Sequence, residues 1–194
     1  MRRAVVILGI VTGVLAVVVT AFAFFVDHAL SADADHEQTC CWKDGATPAW
    51  TSELIGVGVP ETATDRRAGY KTGSRYDVAL LAFTLPEPEA DAYLLPLNPK
   101  GTRMIPNLHP EAKDYRPAAG FAHLGLPEPE TLLQGLREGG LCPGDVTSPH
   151  GKNVQYCVDL FAHTLETGQT RIYIRSTIEP GVTPPPSPRF VPGA

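Results

Sequence analysis

Four cysteines and six histidines are the residues of this chain whose types suit metal, redox or nucleophilic chemistry, and their spacing decides among those uses. Cys142, His150, Cys157 and His163 suggest a zinc set. Cys157 and His163, however, are six apart in a segment that alternates like a strand, about 20 Å at ~3.3 Å per residue. Metal bonds of ~2.1 to 2.3 Å cannot bring both to one ion. His28, His36, His109 and His123 lie in the expected stalk or in loops and read as solvated. Asp159 and His163 would stand ~13 Å apart along one strand, too far for a proton relay. There is no G-x-S-x-G, no phosphate-cradling glycine loop and no H-E-x-x-H, so no catalytic residue, metal or cofactor is expected. The acid pairs Glu87/Glu89 and Glu128/Glu130 follow Leu-Pro steps and read as helix-start acids favoured by the backbone dipole.

The cysteines therefore read as structural. Cys40, Cys41, Cys142 and Cys157 form an even set, and two disulfides in an oxidising compartment are expected. Adjacent trans residues have Cα atoms ~3.8 Å apart, below the usual ~4.4 Å minimum for a bridge. Cys40 and Cys41 are accordingly expected to pair each with one of Cys142 and Cys157. The alternative is a single Cys142 to Cys157 bridge with the adjacent pair free.

The element that positions Cys157 can be read in register. Between Asn153 and Ile178, the apolar Val154, Tyr156, Val158, Leu160 and Ala162 alternate with Gln155, Cys157, Asp159 and His163, Phe161 being the exception. Glu166-Thr167-Gly168 fits a three-residue hairpin loop with Gly168 in the left-handed position. That turn sets Leu160 opposite Ile174 and Ala162 opposite Ile172 on one face. On the other it pairs Asp159 with Arg175, Phe161 with Tyr173, and His163 with Arg171, each pair worth ~0.2 to 1 kcal/mol. A two-residue loop would set Leu160 against Arg175 and mix the faces. A bridge from Cys157 back to the stalk would draw Trp42 over Phe161 and Tyr173, making this face a covered seam.

Other elements follow from local pattern. Leu54 to Val59, closed by Pro60, reads as a first strand, and Tyr76 to Leu85, almost wholly apolar, as an interior one. Pro86-Glu87-Pro88-Glu89 opens a helix to about Leu95. The same LPEPE letters recur at Leu126 to Glu130 and predict a second helix ending at Gly139-Gly140. The residues upstream of the two copies do not match, so this is one helix-start device used twice. Asn98 to Gly125 lacks a clear period, and a stretch this long inside a domain is either a functional loop or holds an element the pattern does not reveal. The last segment, 180–194, is a Pro-rich flexible tail. The fold class expected is α+β, an antiparallel sheet with two helices on one face.

The N-terminus sets the address. Ala4 to Val26 is a run of 23 residues without charge, roughly 35 Å as a helix at ~1.5 Å per residue, against a hydrocarbon core of about 30 Å. Arg2 and Arg3 before it and Asp27 after it keep the N-terminus cytoplasmic and export the rest. The competing reading is a cleaved signal peptide, with Ala21-Phe22-Ala23 or Ala32-Asp33-Ala34 as its site. Gly9 and Gly13 form a G-x-x-x-G, a candidate face for weak homodimerisation within the bilayer. The expected organisation is a cytoplasmic stub over 1–3, a transmembrane anchor over 4–26, a polar stalk over 27–48, an extracytoplasmic domain over 49–179, and the tail.

The chain has 194 residues, 43% hydrophobic and 19% charged, with a net charge of −5. Without Arg2 and Arg3 the exported part holds 14 bases against 21 acids, a balance of −7. That argues against nucleic acid as a partner, since phosphate binding rests on a basic surface. Eleven Arg against five Lys, an Ala/Val/Pro-rich background, the Arg-Arg start before an anchor and the polar stalk give a layout that resembles single-pass exported membrane proteins of high-GC actinobacteria. The resemblance implies a plasma-membrane protein with an outward-facing domain, and carries over no functional residue. The function expected is a non-enzymatic envelope protein that binds a protein or cell-wall partner, with the 98–125 loop as a candidate surface. The alternative is an anchored or secreted enzyme acting on an envelope substrate.

Overall fold

Thr47 starts the first helix of the domain: its hydroxyl accepts from the Trp50 amide at 3.2 Å, Pro48 takes the first helical position, and Gly56 ends the helix with φ 73°. This helix, α1 (Pro48–Ile55), absorbs the start of the segment read as a strand over 54–59. The cap–Pro–Gly signature outweighs a short apolar run. The computed structural model describes residues 18–22, 24, 41–97, 104–106, 120–132, 134–145, 154–166, 168–181 and 185.

The chain divides into two units, residues 1–40 and 41–194. In the first, residues 18–22 and 24 are helical, and Val18, Val19, Phe22 and Phe24 are each more than half exposed. Among the described residues, no helix is long and apolar enough to cross a membrane. Most of the 4–26 anchor, its Gly9 and Gly13, Cys40, and most of the stalk and tail lie outside the described residues.

The second unit is α+β, built on a six-stranded antiparallel sheet of β1 (Thr64–Lys71), β2 (Asp77–Pro86), β3 (Ile105–Pro106), β4 (Leu136–Leu141), β5 (Val158–Thr164) and β6 (Gln169–Ile178). Their order across the sheet is β1-β2-β6-β5-β4-β3. The apolar run of β2 lies between β1 and β6 and is buried on both faces, which is why it reads as continuous rather than alternating. Helix α2 (Glu87–Leu94) carries Glu87 and Glu89 in its first turn, where the dipole favours acids. Both helices cover one face: Ile55, Tyr93 and Leu94 join Leu81, Phe83, Leu160, Ile172 and Ile174 in one core.

β5 and β6 pair Asp159 with Arg175, Leu160 with Ile174, Phe161 with Tyr173, Ala162 with Ile172 and His163 with Arg171, and Gly168 has φ 71°. The hairpin register is thus the one its turn dictates.

Further expectations give way. The second LPEPE opens no helix: Pro129–Thr131 forms a single 3-10 turn, Gly135 turns the chain at φ 69°, and Leu136–Leu141 pairs with β5 as β4. A segment holding Gly139-Gly140 is a poor helix, whereas the backbone of β5 offers it a ladder. Of the two readings of the 98–125 stretch, the structure supports an element the pattern did not reveal: Met104 is buried, Ile105–Pro106 forms β3 and Phe121–Leu124 a 3-10 turn.

The disulfide pattern also differs. Cys142 is bonded to Cys157, so neither reaches Cys40 or Cys41, and Cys41 is itself disulfide-bonded rather than free. The reason is register. Leu141 faces Val158 at the end of the β4–β5 ladder, so the next pair out is Cys142 opposite Cys157, with Cα atoms 4.0 Å apart. Once β4 is a strand, these two are neighbours.

Candidate functional site

The second face of the sheet carries Leu80, Ala82, Tyr173, Phe161 and Leu136, and is roofed by a strap, Gly120–Leu132, that lays Phe121 and Leu126 upon them. Phe121 meets Tyr173 edge-on at 5.0 Å between ring centroids. Trp42 packs against the same cluster and stacks flat on His123 at 3.9 Å. The close approach needs Gly69, where a Cβ would stand 3.0 Å from the Trp42 ring. Trp42 therefore helps cover the face of Phe161 and Tyr173, although no bridge from Cys157 draws it there. A short ladder does so instead: the Lys43 amide donates to the Tyr70 carbonyl at 2.8 Å, and the Thr72 amide to that of Cys41 at 3.0 Å.

Among the described residues the roof is incomplete. Towards β4 the face opens into a cleft of about 540 Å³, bounded by Ile105, Glu138, Gly139, Gly140 and Asp159, with Glu130, Phe161 and Arg175 also on its wall. Its origin is local sequence. Gly140 faces Asp159, which faces Arg175 in turn, so Gly140 holds the place on β4 from which a side chain would otherwise fill the space. One step along, Ile105, Glu138 and Phe161 form the adjoining row.

Arg175 organises the cleft. Its guanidinium sits 5.4 Å from the Phe161 ring centroid, its Nε donates to Asp159 Oδ2 at 3.0 Å, and its Nη2 lies 2.6 Å from Glu130 Oε1. The Arg175 and Glu130 side chains are 11% and 5% exposed, against 57% for Asp159. The inner pair is thus buried and the outer carboxylate is wet. A buried guanidinium held by two carboxylates and an aromatic face has little freedom to move. The Cys142–Cys157 bridge lies two residues beyond Gly140 and Asp159 on their respective strands and staples that end of the cleft.

No protein-family model, curated protein or solved structure matches the chain.

Other charged residues of this face brace the strap and β1. Arg67 donates Nη1 to the Leu124 carbonyl at 2.6 Å and Nε to Asp65 at 2.8 Å, while Arg171 pairs with Asp65 and donates Nε to Thr84 Oγ1 at 3.1 Å. Arg67 and Arg171 together hold the Asp65 carboxyl below its ordinary range. Glu128 Oε1 accepts from the Ala122 amide at 2.9 Å, and burial pushes this carboxyl up from its usual value. Burial likewise lowers His163, which faces Arg171, and raises Tyr173. So Glu128 and Glu130, read as helix-start acids, do other work: one ties the strap to itself and the other neutralises Arg175.

The structure thus brings Asp159, Arg175 and Phe161 together at the cleft, and sets Tyr173, His163 and Arg171 along the roofed part of the same face. Among the described residues, no group of three His, Cys, Asp or Glu could hold a metal ion. His150 lies outside them. The place of Glu130, Glu138 and Gly140 at the cleft escaped sequence reasoning. The available signal was Gly139-Gly140, which marks a helix end in one reading and an open place on a strand in the other. A second hollow, of about 370 Å³, lies beside α1. Its polar groups serve the chain itself: Arg66 donates to the carbonyls of Ala63 at 2.8 Å and Pro60 at 2.9 Å, and Ser52 Oγ to that of Val57 at 2.6 Å.

Proposed function

We propose that this chain is a non-enzymatic, membrane-anchored envelope protein whose α+β domain faces the cell exterior and binds a partner in the β4–β5–β6 cleft. The observation that carries the reading is the fixed charge around an open backbone floor. Arg175 and Glu130 hold each other in place, so the cleft offers a partner a preformed shape and charge rather than a group poised to exchange protons. The Cys142–Cys157 disulfide is consistent with an oxidising exterior. The uncharged run from Ala4 to Val26 behind Arg2 and Arg3 supports a single span with the N-terminus inside.

Two measurements test this. A tag fused after Ala194 is digested by protease added to whole, wall-stripped cells; protection of the tag overturns the orientation. A photo-crosslinking residue at Ile105, 59% exposed on the cleft rim, captures one reproducible envelope component in intact cells, while the same residue at Glu87 on α2 does not. Equal capture from both positions overturns the assignment of the cleft.

A further inference from the structure

We infer that the Gly120–Leu132 strap is a pH-operated latch: Glu128 clasps it while carrying a proton and loosens it on losing that proton, and with it the hold of Glu130 on Arg175. The latch follows from the strap's own geometry; its consequence for the cleft rests on the binding reading above. The strap doubles back on itself. Glu128 Oε1 accepts from the Ala122 amide at 2.9 Å, six positions earlier, and the Leu126 amide donates to the Phe121 carbonyl at 3.1 Å. The closure is tight at the start of the strap, where a Cβ on Gly120 would stand 3.2 Å from Glu128 Oε1. On its other side the Glu128 carbonyl accepts from the Thr131 amide at 3.0 Å and from the Thr131 hydroxyl at 2.7 Å. One residue thus joins the turn that lays Phe121 on Tyr173 to the turn that presents Glu130 to Arg175.

The second carboxyl oxygen decides the sign. Glu128 Oε2 is buried and, among the described residues, meets no hydrogen-bond partner, so a charge there costs more than a neutral hydroxyl. Burial accordingly holds this carboxyl above its ordinary value; the Glu130 charge acts in the same direction, while the backbone of Ala122 and Phe121 and the guanidinium of Arg175 act against it. Tyr173 of β6 lies close enough to feel the Glu128 charge. The other titratable groups on the elements beneath the strap are engaged elsewhere: Arg67 of β1 and Arg171 of β6 with Asp65, and Asp159 of β5 with Arg175, while Glu138 of β4 stands on the cleft wall. A group raised on folding stabilises the closed form below its unfolded pKa and ceases to do so as pH rises through its folded one. The strap is therefore clasped in acid and loosens as pH rises. His123, stacked on Trp42, and His163, facing Arg171, work in the opposite sense, since burial lowers both and the charge they gain as pH falls opposes closure.

Amide hydrogen exchange on the full chain in detergent micelles, corrected for the intrinsic rate at each pH, tests the latch. Protection of the Ala122, Leu126 and Thr131 amides falls together as pH rises from the ordinary 4.5 through the raised value, while Leu81 and Ile174, paired in the middle of the sheet, keep theirs. Glu128→Gln, whose carbonyl still accepts from Ala122 but which has no proton to lose, abolishes that fall, and the kept protection of Leu81 and Ile174 verifies its fold. His123→Asn retains the fall. A parent and a Glu128→Gln variant that respond alike to pH, or a fall that disappears in His123→Asn, overturns the latch and leaves the cleft as a binding surface. Protection lost at Ala122 but kept at Thr131 overturns the link to Glu130. A crosslinker at Ile105 that captures nothing at any pH would sink the binding reading and leave the latch intact.

Discussion

Replacing Arg175 with methionine keeps most of the side-chain volume and deletes the charge that holds Glu130. Glu130 is 5% exposed, so the variant takes the guanidinium at 2.6 Å away from a carboxylate that water reaches poorly, a change that costs about 3 to 5 kcal/mol when a buried pair is broken from one side. At roughly 2 to 4 °C per kcal/mol for a chain of this size, the melting midpoint falls by about 6 to 20 °C. Glu130→Gln costs less, about 1 to 3 kcal/mol, because Arg175 keeps Asp159 at 3.0 Å and its own charge stays paired. Asp159→Asn costs under about 1 kcal/mol, its side chain being 57% exposed. The double variant Arg175→Met/Glu130→Leu recovers most of the loss, since a packed apolar pair is close to neutral against a buried ion pair. Urea unfolding of the full chain in micelles at pH 7 reads these as shifts in midpoint at constant slope. An Arg175→Met cost below ~1 kcal/mol, or a double variant whose cost equals the sum of the two single ones, would refute the buried pair as the organiser of the cleft.

Replacing Cys142 and Cys157 together by serine lowers stability by about 3 kcal/mol, the chain-entropy value for a loop of 15 residues, as a denaturation midpoint will register. Peptide mapping without reduction recovers a Cys142–Cys157 link and, Cys40 being the only cysteine left in the sequence for Cys41, a separate peptide holding both of those; a fragment joining Cys41 to Cys142 or Cys157 contradicts the register. Burial raises Glu128 above its ordinary 4.5, so the folded domain keeps this proton to higher pH than the unfolded chain. The stabilisation this gives is present in acid and is lost as pH rises through the raised value. Glu128→Gln, whose carbonyl still accepts from Ala122, therefore gains stability relative to the parent as pH rises from the ordinary 4.5 through the raised value, and a difference that stays flat with pH refutes the cause. Gly168→Ala, with φ 71° and open space around the site, costs about 1 kcal/mol of backbone strain. Gly135→Ala costs more at a similar φ of 69°, because its Cβ would stand 2.9 Å from the Thr164 carbonyl oxygen; equal midpoints for the two variants would contradict that clash.

Local pattern alone specified the parts of the domain whose partners lie nearby in the chain. The β5–β6 register follows from the place of Gly168 and the alternation before it, because a period of two leaves one pairing that keeps the apolar residues on one side. The apolar run of β2 and the acid-rich start of α2 are likewise complete within their own ten or so residues. Helix α1 was equally readable from Thr47, Pro48 and Gly56, signals that a short apolar run obscured.

Tertiary structure alone decided the fate of Leu136–Leu141. Its flanks repeat the letters that begin α2, and only the vacant backbone edge of β5 turns it into a strand. Cys142 then stands opposite Cys157, and Gly140 leaves a gap beside Asp159. Glu130 reaches Arg175 across 45 positions of sequence, a pairing no local period encodes. The sequence determined which residues are apolar, where the chain turns, and that an uncharged run of membrane-spanning length stands before the domain. Which strand lies beside which, and so where the charges meet, depended on pairing between distant segments, because the free energy of a sheet resides in contacts that exist only once both strands are in place.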